Sequence, residues 1–245
     1  MNWFDCNCGF GVRAKPLGGV LSRAADLLEE MDFCGVDEGL VYHVAMQAES
    51  PQAGNRLVLE ETRGQPRLHA TWAILPPQTG ELGTVEGFLA GMREHDVRAL
   101  WAHPEEHRYL LNAITFGSLL EEVAARRIPL FVGPQWEMVT ALLADFPDLT
   151  LVVAGHGNWG DDRFFRPLVE RYPRLHLDTS NYQLAGGLAD FVGRYGPARL
   201  LYASGAPDLQ MGAALLTLAG CDMPSEAKEA IADGNLRRLL AEERL

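Results

Sequence analysis

What this sequence lacks narrows its class before any motif is read. It has only four cysteines in 245 residues, at positions 6, 8, 34 and 221. They are too few and too irregular for a disulfide framework and read as thiols of a reducing cytoplasm. No apolar run approaches the ~20 residues that cross a bilayer. The first residues lack the basic and then apolar regions of a secretory leader. Positive charge is short as well: 21 Lys and Arg against 33 Asp and Glu leave a formal charge of −12. That argues against nucleic acid or an anionic membrane as partner, since either calls for a clustered basic surface. Gly9-Phe10-Gly11 lacks the third glycine of a dinucleotide fingerprint, and no Gly-Lys-Ser/Thr phosphate loop occurs. No Ser/Gly linker or charge block divides the chain, so residues 1–245 read as one domain.

What is present is a rhythm of short apolar runs, polar or glycine-containing turns and amphipathic stretches. The apolar runs predict strands at 3–8, 39–44, 68–75, 97–102, 129–132, 150–154, 175–178 and 200–203. They are nearly continuous, as expected of parallel strands buried on both faces. Leu21, Ala24, Leu27, Leu28 and Met31 share one helical face. Residues 116–125, 139–146 and 164–172 follow the same pattern. Prolines 129, 147, 173 and 197 stop a helix and restart an extended chain. Eight such units in 245 residues predict an α/β fold, a single (β/α)8 TIM barrel. An open doubly wound sheet is the alternative.

Such barrels place their chemistry at the C-terminal ends of the strands. His43, His103 and His156 fall there. His69, His95, His107 and His176 read as structural or surface residues. The other polar candidates at strand ends are Asp5 and Asn7, Gln135, Asn158, Asp178 with Ser180 and Asn181, and Ser204. Phe10 and Trp136 are candidates for pocket lining or for packing, and segments 9–19 and 47–55 for covering the pocket. Cys6 and Cys8, two apart on a strand, would share a face.

Several of these segments resemble one family. Phe4-Asp5-Cys6-Asn7-Cys8-Gly9 resembles an opening strand of the form Asp-x-His-x-His. Ala102-His103-Pro104, Ala154-Gly155-His156-Gly157, Leu175-His176-Leu177-Asp178 and Ala203-Ser204-Gly205-Ala206-Pro207 are similar to its fourth, sixth, seventh and eighth strand ends, and Gly234-Asn235-Leu236 to its closing helix. The family is that of the amidohydrolase-related barrels, which includes metal-dependent hydrolases of small molecules and non-oxidative decarboxylases. The resemblance implies one or two divalent metals, commonly zinc, held by the paired histidines, by histidines after strands five and six and by an aspartate after strand eight. Here Asn7 and Gly9 stand at the paired positions, Gly133 or Pro134 after strand five and Gly205 after strand eight. Only His156 matches.

A catalytic zinc needs about three protein ligands, so the expectation is a degenerate site with no cofactor. The alternative is one divalent metal such as zinc, for which Cys6, Cys8 and His156 would be a soft ligand set. The parity implied by the resemblance instead turns Asp5 and Asn7 to the site and the two cysteines to the helices. The expected function is a hydrolase or carbon–carbon lyase acting on a small molecule. His156 or His103 would be acid or base, with Asp5 or Asp178 orienting an imidazole. Asn7, Ser180 and Asn181 would donate to a developing oxyanion, with His43, Gln135, Asn158 and Ser204 as further substrate contacts. A non-catalytic barrel that binds a small molecule or a partner is the alternative. The family's barrels frequently pair, which implies a homodimer.

Overall fold

The computed structural model describes residues 1–12, 21–157, 160–182 and 184–245. Its elements alternate along the chain. The first strand, β1 (Phe4–Phe10), leads to α1 (Ala24–Cys34) and β2 (Glu38–His43). A short α2 (Ala45–Ala48) and then α3 (Pro51–Thr62) connect to β3 (Leu68–Ala70) and β4 (Trp72–Ala73). The regular units follow: α4 (Val85–Glu94), β5 (Leu100–Ala102), α5 (Ala113–Ala125), β6 (Leu130–Val132), α6 (Trp136–Asp145) and β7 (Leu151–Val153). Next come α7 (Asp162–Arg171), β8 (Leu175–Asp178), α8 (Gly187–Tyr195), β9 (Leu200–Leu201) and α9 (Met211–Ala219). The end is α10 (Ser225–Glu229), joined through a π turn to α11 (Asn235–Glu242).

Every strand pairing is parallel, in sequence order. The eight predicted strands become nine segments because the third is interrupted at Thr71. Its N–H still donates to Val41 O at 2.9 Å, whereas Trp72 N–H turns to Ala99 O at 3.3 Å. One strand thus hands over from β2 to β5 and joins the two sheets. The other seam closes between the last strand and the first: Cys6 N–H donates to Tyr202 O, Gly9 N–H to Ala206 O and Gly205 N–H to Asn7 O, all at 2.8–2.9 Å. The result is the predicted eight-stranded α/β barrel, and the open-sheet alternative is excluded by this closure.

The reasons are local. Strand residues are buried on both faces, as the apolar runs predict. Ala24, Leu27 and Met31 of α1 are buried on the predicted stripe. Thr84 and Asn112 cap α4 and α5, accepting from Gly87 N and Thr115 N at 3.0 Å. Gly54 lets α3 approach α2, since a Cβ there would lie 2.3 Å from Met46 N. No described helix is long and apolar enough to cross a membrane.

Candidate functional site

A cavity of about 280 Å³ opens at the C-terminal ends of the strands. Asn7 and Tyr42 come to it from the first two strands, and Trp101 and His103 from β5 and the turn behind it. Gly133 and Gln135 follow β6, Ala154 and Gly155 follow β7, and Asp208 follows β9. A larger groove of about 590 Å³ lies outside the barrel between α3 and α4, over Trp72 and His95. It is away from the strand ends.

Beneath the cavity floor is a buried polar network built around two carboxyl groups. Asp178 Oδ2 accepts from Asn7 Nδ2 at 2.7 Å, and its Oδ1 accepts from Gly155 N at 3.0 Å and from the Ser180 hydroxyl at 2.9 Å. Asp5 Oδ1 accepts from the backbone N–H groups of Asn7 and Ser204, both at 3.0 Å. Asp5 Oδ2 is buried with no hydrogen-bond partner among the described residues. Burial pushes the Asp5 carboxyl up to about 6, with the neighbouring Asp178 charge adding to the rise. Ser204 Oγ accepts from Ala206 N at 3.1 Å and so fixes the turn after β9.

This network changes several expected roles. Neither Asp5 nor Asp178 accepts from an imidazole. The donors of Ser180 and Asn7 are turned to Asp178 rather than to the cavity. A carboxylate only accepts, so Asn7 must present its NH2 to Asp178, which turns its Oδ1 away from that carboxylate. Asn181 is half-buried in the turn that follows, and Asn158 lies outside the described residues.

The three strand-end histidines separate. His103 lines the cavity with its ring stacked on Trp101, centroids 5.6 Å apart and planes at 6°. Its backbone N–H donates to the Tyr109 hydroxyl at 2.8 Å, which holds the turn. His156 is 1% exposed, packed against Phe165 and Tyr182 at 5.2 and 5.0 Å. It does not line the cavity, and neither ring nitrogen has a hydrogen-bond partner among the described residues. His43 is half-buried against Phe10, its Nδ1 accepting from Ala45 N at 3.1 Å, also off the cavity. Burial holds its imidazole below the usual range. The remaining histidines do not line the cavity, and His95 is exposed beside Trp72. His69 pairs with Glu38 at 2.7 Å, His107 bonds Met46 O, and burial among Arg199, Arg238 and Arg174 pushes His176 down to about 3.

Whether these residues suit a divalent metal is a question of donors. Among the described residues, no group of three or more His, Cys, Asp and Glu side chains is disposed to hold one. Asn7 has its NH2 held by Asp178 and offers only a neutral amide oxygen where the resembled motif has an imidazole. At Gly9 a Cβ would lie 2.7 Å from the Tyr42 ring and 2.8 Å from Tyr42 O, so an imidazole there would collide with β2. Cys6 and Cys8 are fully buried, and burial pushes both thiols well up, helped by the Asp178 and Asp5 charges at Cys6 and by Asp5 at Cys8. A thiol that stays protonated is a poor ligand. Among the described residues these side chains do not assemble the ligand set that the resemblance implies.

The parity argument for β1 also needs correction. Asp5 pairs with Gly39 but Cys8 with Val41, so β1 carries a bulge between them. The extra residue breaks strict alternation, and Cys8 lies close enough to Asp5 for that charge to act on its thiol. Other lining residues carry no strand-end signature: Tyr42 within β2, Gln47 on α2, Glu106 in the turn after β5. Of segment 47–55, Gln47 reaches the cavity while Pro51 already opens α3. Phe10 and Trp136 are buried packing residues, off the cavity.

Comparison with known proteins adds a family and a fold. Residues 19–241 match the family described as amidohydrolase. Among solved structures, an uncharacterised TIM-barrel protein from Bordetella bronchiseptica superposes with TM-score 0.78 at 18% identity, over 99% of each chain. A dihydroxybenzoic acid decarboxylase from Polaromonas sp. JS666, solved with manganese and 2-nitroresorcinol, gives 0.74 at 16%, covering 98% of this chain and 97% of that one. A protein described as a 2-pyrone-4,6-dicarboxylic acid hydrolase from Pseudomonas putida gives 0.72 at 17%, over 100% and 99%. No curated protein sequence matches.

Proposed function

This chain belongs to the amidohydrolase family, and from that premise we propose a small-molecule enzyme of hydrolase or decarboxylase type whose own side chains, in place of a divalent metal, carry the acid–base chemistry. The observation behind this reading is Asn7. It stands at the first metal-ligand position of the resembled motif, yet its amide is turned to Asp178 at 2.7 Å. The hydrolase and decarboxylase alternatives rest on what similar folds do, which is analogy.

Within the cavity His103 is the imidazole that can take or give a proton. Stacking on Trp101 fixes its ring plane, and the Tyr109 hydrogen bond fixes the turn that carries it. A positioned imidazole supplies about 10²–10⁴-fold acceleration, which suits an activated substrate. Asp178 acts through others. By holding Asn7, Gly155 and Ser180 together it sets the shape of the cavity floor. His156, behind Ala154 and Gly155, serves the wall by packing against Phe165 and Tyr182.

The test is metal content per chain, measured by mass spectrometry on protein purified without chelator or affinity tag, together with turnover before and after chelation. The expected result is substoichiometric metal and turnover indifferent to chelator. His103→Ala should lower kcat by about 10²-fold or more with the fold intact by circular dichroism. About one zinc, iron or manganese per chain, with activity lost on its removal, overturns the proposal. Binding without turnover moves the chain to the non-catalytic alternative.

A further inference from the structure

The imidazole assigned to proton transfer sits on a turn, and a turn holds a side chain only as well as it is itself held. Residues 103–109 close on themselves. His107 N–H donates to His103 O and Tyr109 N–H to Pro104 O, both at 3.1 Å, and His103 N–H donates to the Tyr109 hydroxyl at 2.8 Å. Within the turn Arg108 has a φ of +54°, a left-handed conformation that a side chain disfavours and that persists where the surroundings over-determine it. The turn is one piece, and it is part of the cavity: His103, Pro104 and Glu106 all line it.

Helix α2 holds this piece from outside. His107 reaches across 61 positions to Met46 O at 2.7 Å. A carbonyl only accepts, so Nε2 carries the hydrogen, and Met46 O is among the last carbonyls of α2, which have no donor within the helix. Beside it Gln47 Nε2 donates to Glu106 Oε1 across 59 positions. Two neighbouring residues of α2 thus grip two neighbouring residues of the turn. The His103 ring lies flat on Trp101, and the His107 ring stands edge-on to it, centroids 6.3 Å apart and planes at 70°. Because α2 packs closely on α3 at Gly54, the grip is anchored in the contact of two helices.

We infer that His107 and Gln47 are positioning residues: their clamp on the turn 103–109 holds His103 against Trp101, and its release lets that side of the cavity swing outward. The inference rests on the reading of His103 as the acid–base group and names what regulates its placement. His107, which does not line the cavity, then controls whether the imidazole meets a substrate at the separation of about 3 Å that proton transfer requires.

The test is NMR on uniformly labelled protein, following the histidine ring Cε1–Hε1 signals and the exchange of the His103 and Tyr109 amides. His103→Ala identifies the His103 ring signal. In His107→Ala and in Gln47→Ala that signal is expected to leave its wild-type position. The two turn amides should exchange about fivefold faster or more, the effect of one hydrogen bond lost. Gln47→Ala removes no ring, so a shift there reports the place of His103 and not the loss of a neighbouring ring current. His107→Gln restores a side-chain N–H for Met46 O and is expected to return the turn amides to the wild-type rate. Unchanged exchange at Leu130 and Leu151 checks that each variant is folded. If either alanine variant leaves both readings as in wild type, or if His107→Gln behaves as His107→Ala does, the proposal is overturned. No turnover enters these readings. A metal on the protein, or full activity in His103→Ala, overturns the functional reading and leaves the clamp as measured, so the two failures are distinguishable.

Discussion

Asp5 has one carboxylate oxygen satisfied by two backbone N–H groups and the other buried without a partner among the described residues. Its carboxyl titrates near 6 instead of 3.8, so the folded state holds a proton that the unfolded chain has already released. The stability linked to that proton is fully present below about pH 4 and is lost as pH rises through 6. A shift of this size corresponds to about 3 kcal/mol. Asp5→Asn keeps an acceptor for both N–H groups and cannot ionise. Relative to its value below pH 4, the stability of the variant measured against wild type is expected to rise by about 3 kcal/mol above pH 7. Urea unfolding across this range checks it, and a difference independent of pH would show that Asp5 is solvated. That Asp5, Asn7, His103, Gln135 and Asp178 belong at this end of the barrel was legible from their places at strand ends. Tyr42, Gln47 and Glu106 were not, because nothing in an apolar run or a turn marks which loop residue folds back over the mouth.

At the scale of elements, short helices decide how the loops reach the cavity. The four-residue α2 carries Gln47 to the wall, and its position depends on contact with α3. At that contact a Cβ on Gly54 would lie 2.3 Å from Met46 N and 2.6 Å from Met46 Cα. These are backbone atoms and cannot swing away. Gly54→Ala is therefore expected to push α2 from α3 and cost about 1–3 kcal/mol, the range for overpacking, although alanine is the better helix former. Thermal unfolding measures the cost. An unchanged melting temperature would mean that the two helices are not in register as described. Strands show the complementary lesson. The run at 68–75 reads as one strand, but Thr71 divides it because its N–H faces Val41 while Trp72 faces Ala99. Hydrophobic pattern gives the run, and pairing gives the break.

For the molecule as a whole the deciding feature is closure. At the seam between the first and last strands the donors of Cys6, Gly9 and Gly205 are bonded at 2.8–2.9 Å and sit among buried side chains. The amides of these three residues are expected to exchange with solvent as slowly as those of Leu130 and Leu151 inside the sheet, by global opening only. Hydrogen exchange read by NMR or mass spectrometry checks it, and faster exchange at the seam would mark the barrel as opening there first. The order of strands and their parallel sense were determined by the sequence alone, because continuous apolar runs alternating with amphipathic stretches have few ways to bury both faces. The partners of the polar groups were decided only by tertiary structure. Asn7 meets Asp178 across 171 positions and Ser204 meets Asp5 across 199. Those meetings depend on a one-residue bulge in β1 and on ring closure. Period-two patterning cannot encode either one, since a single inserted residue reverses which side chains face inward.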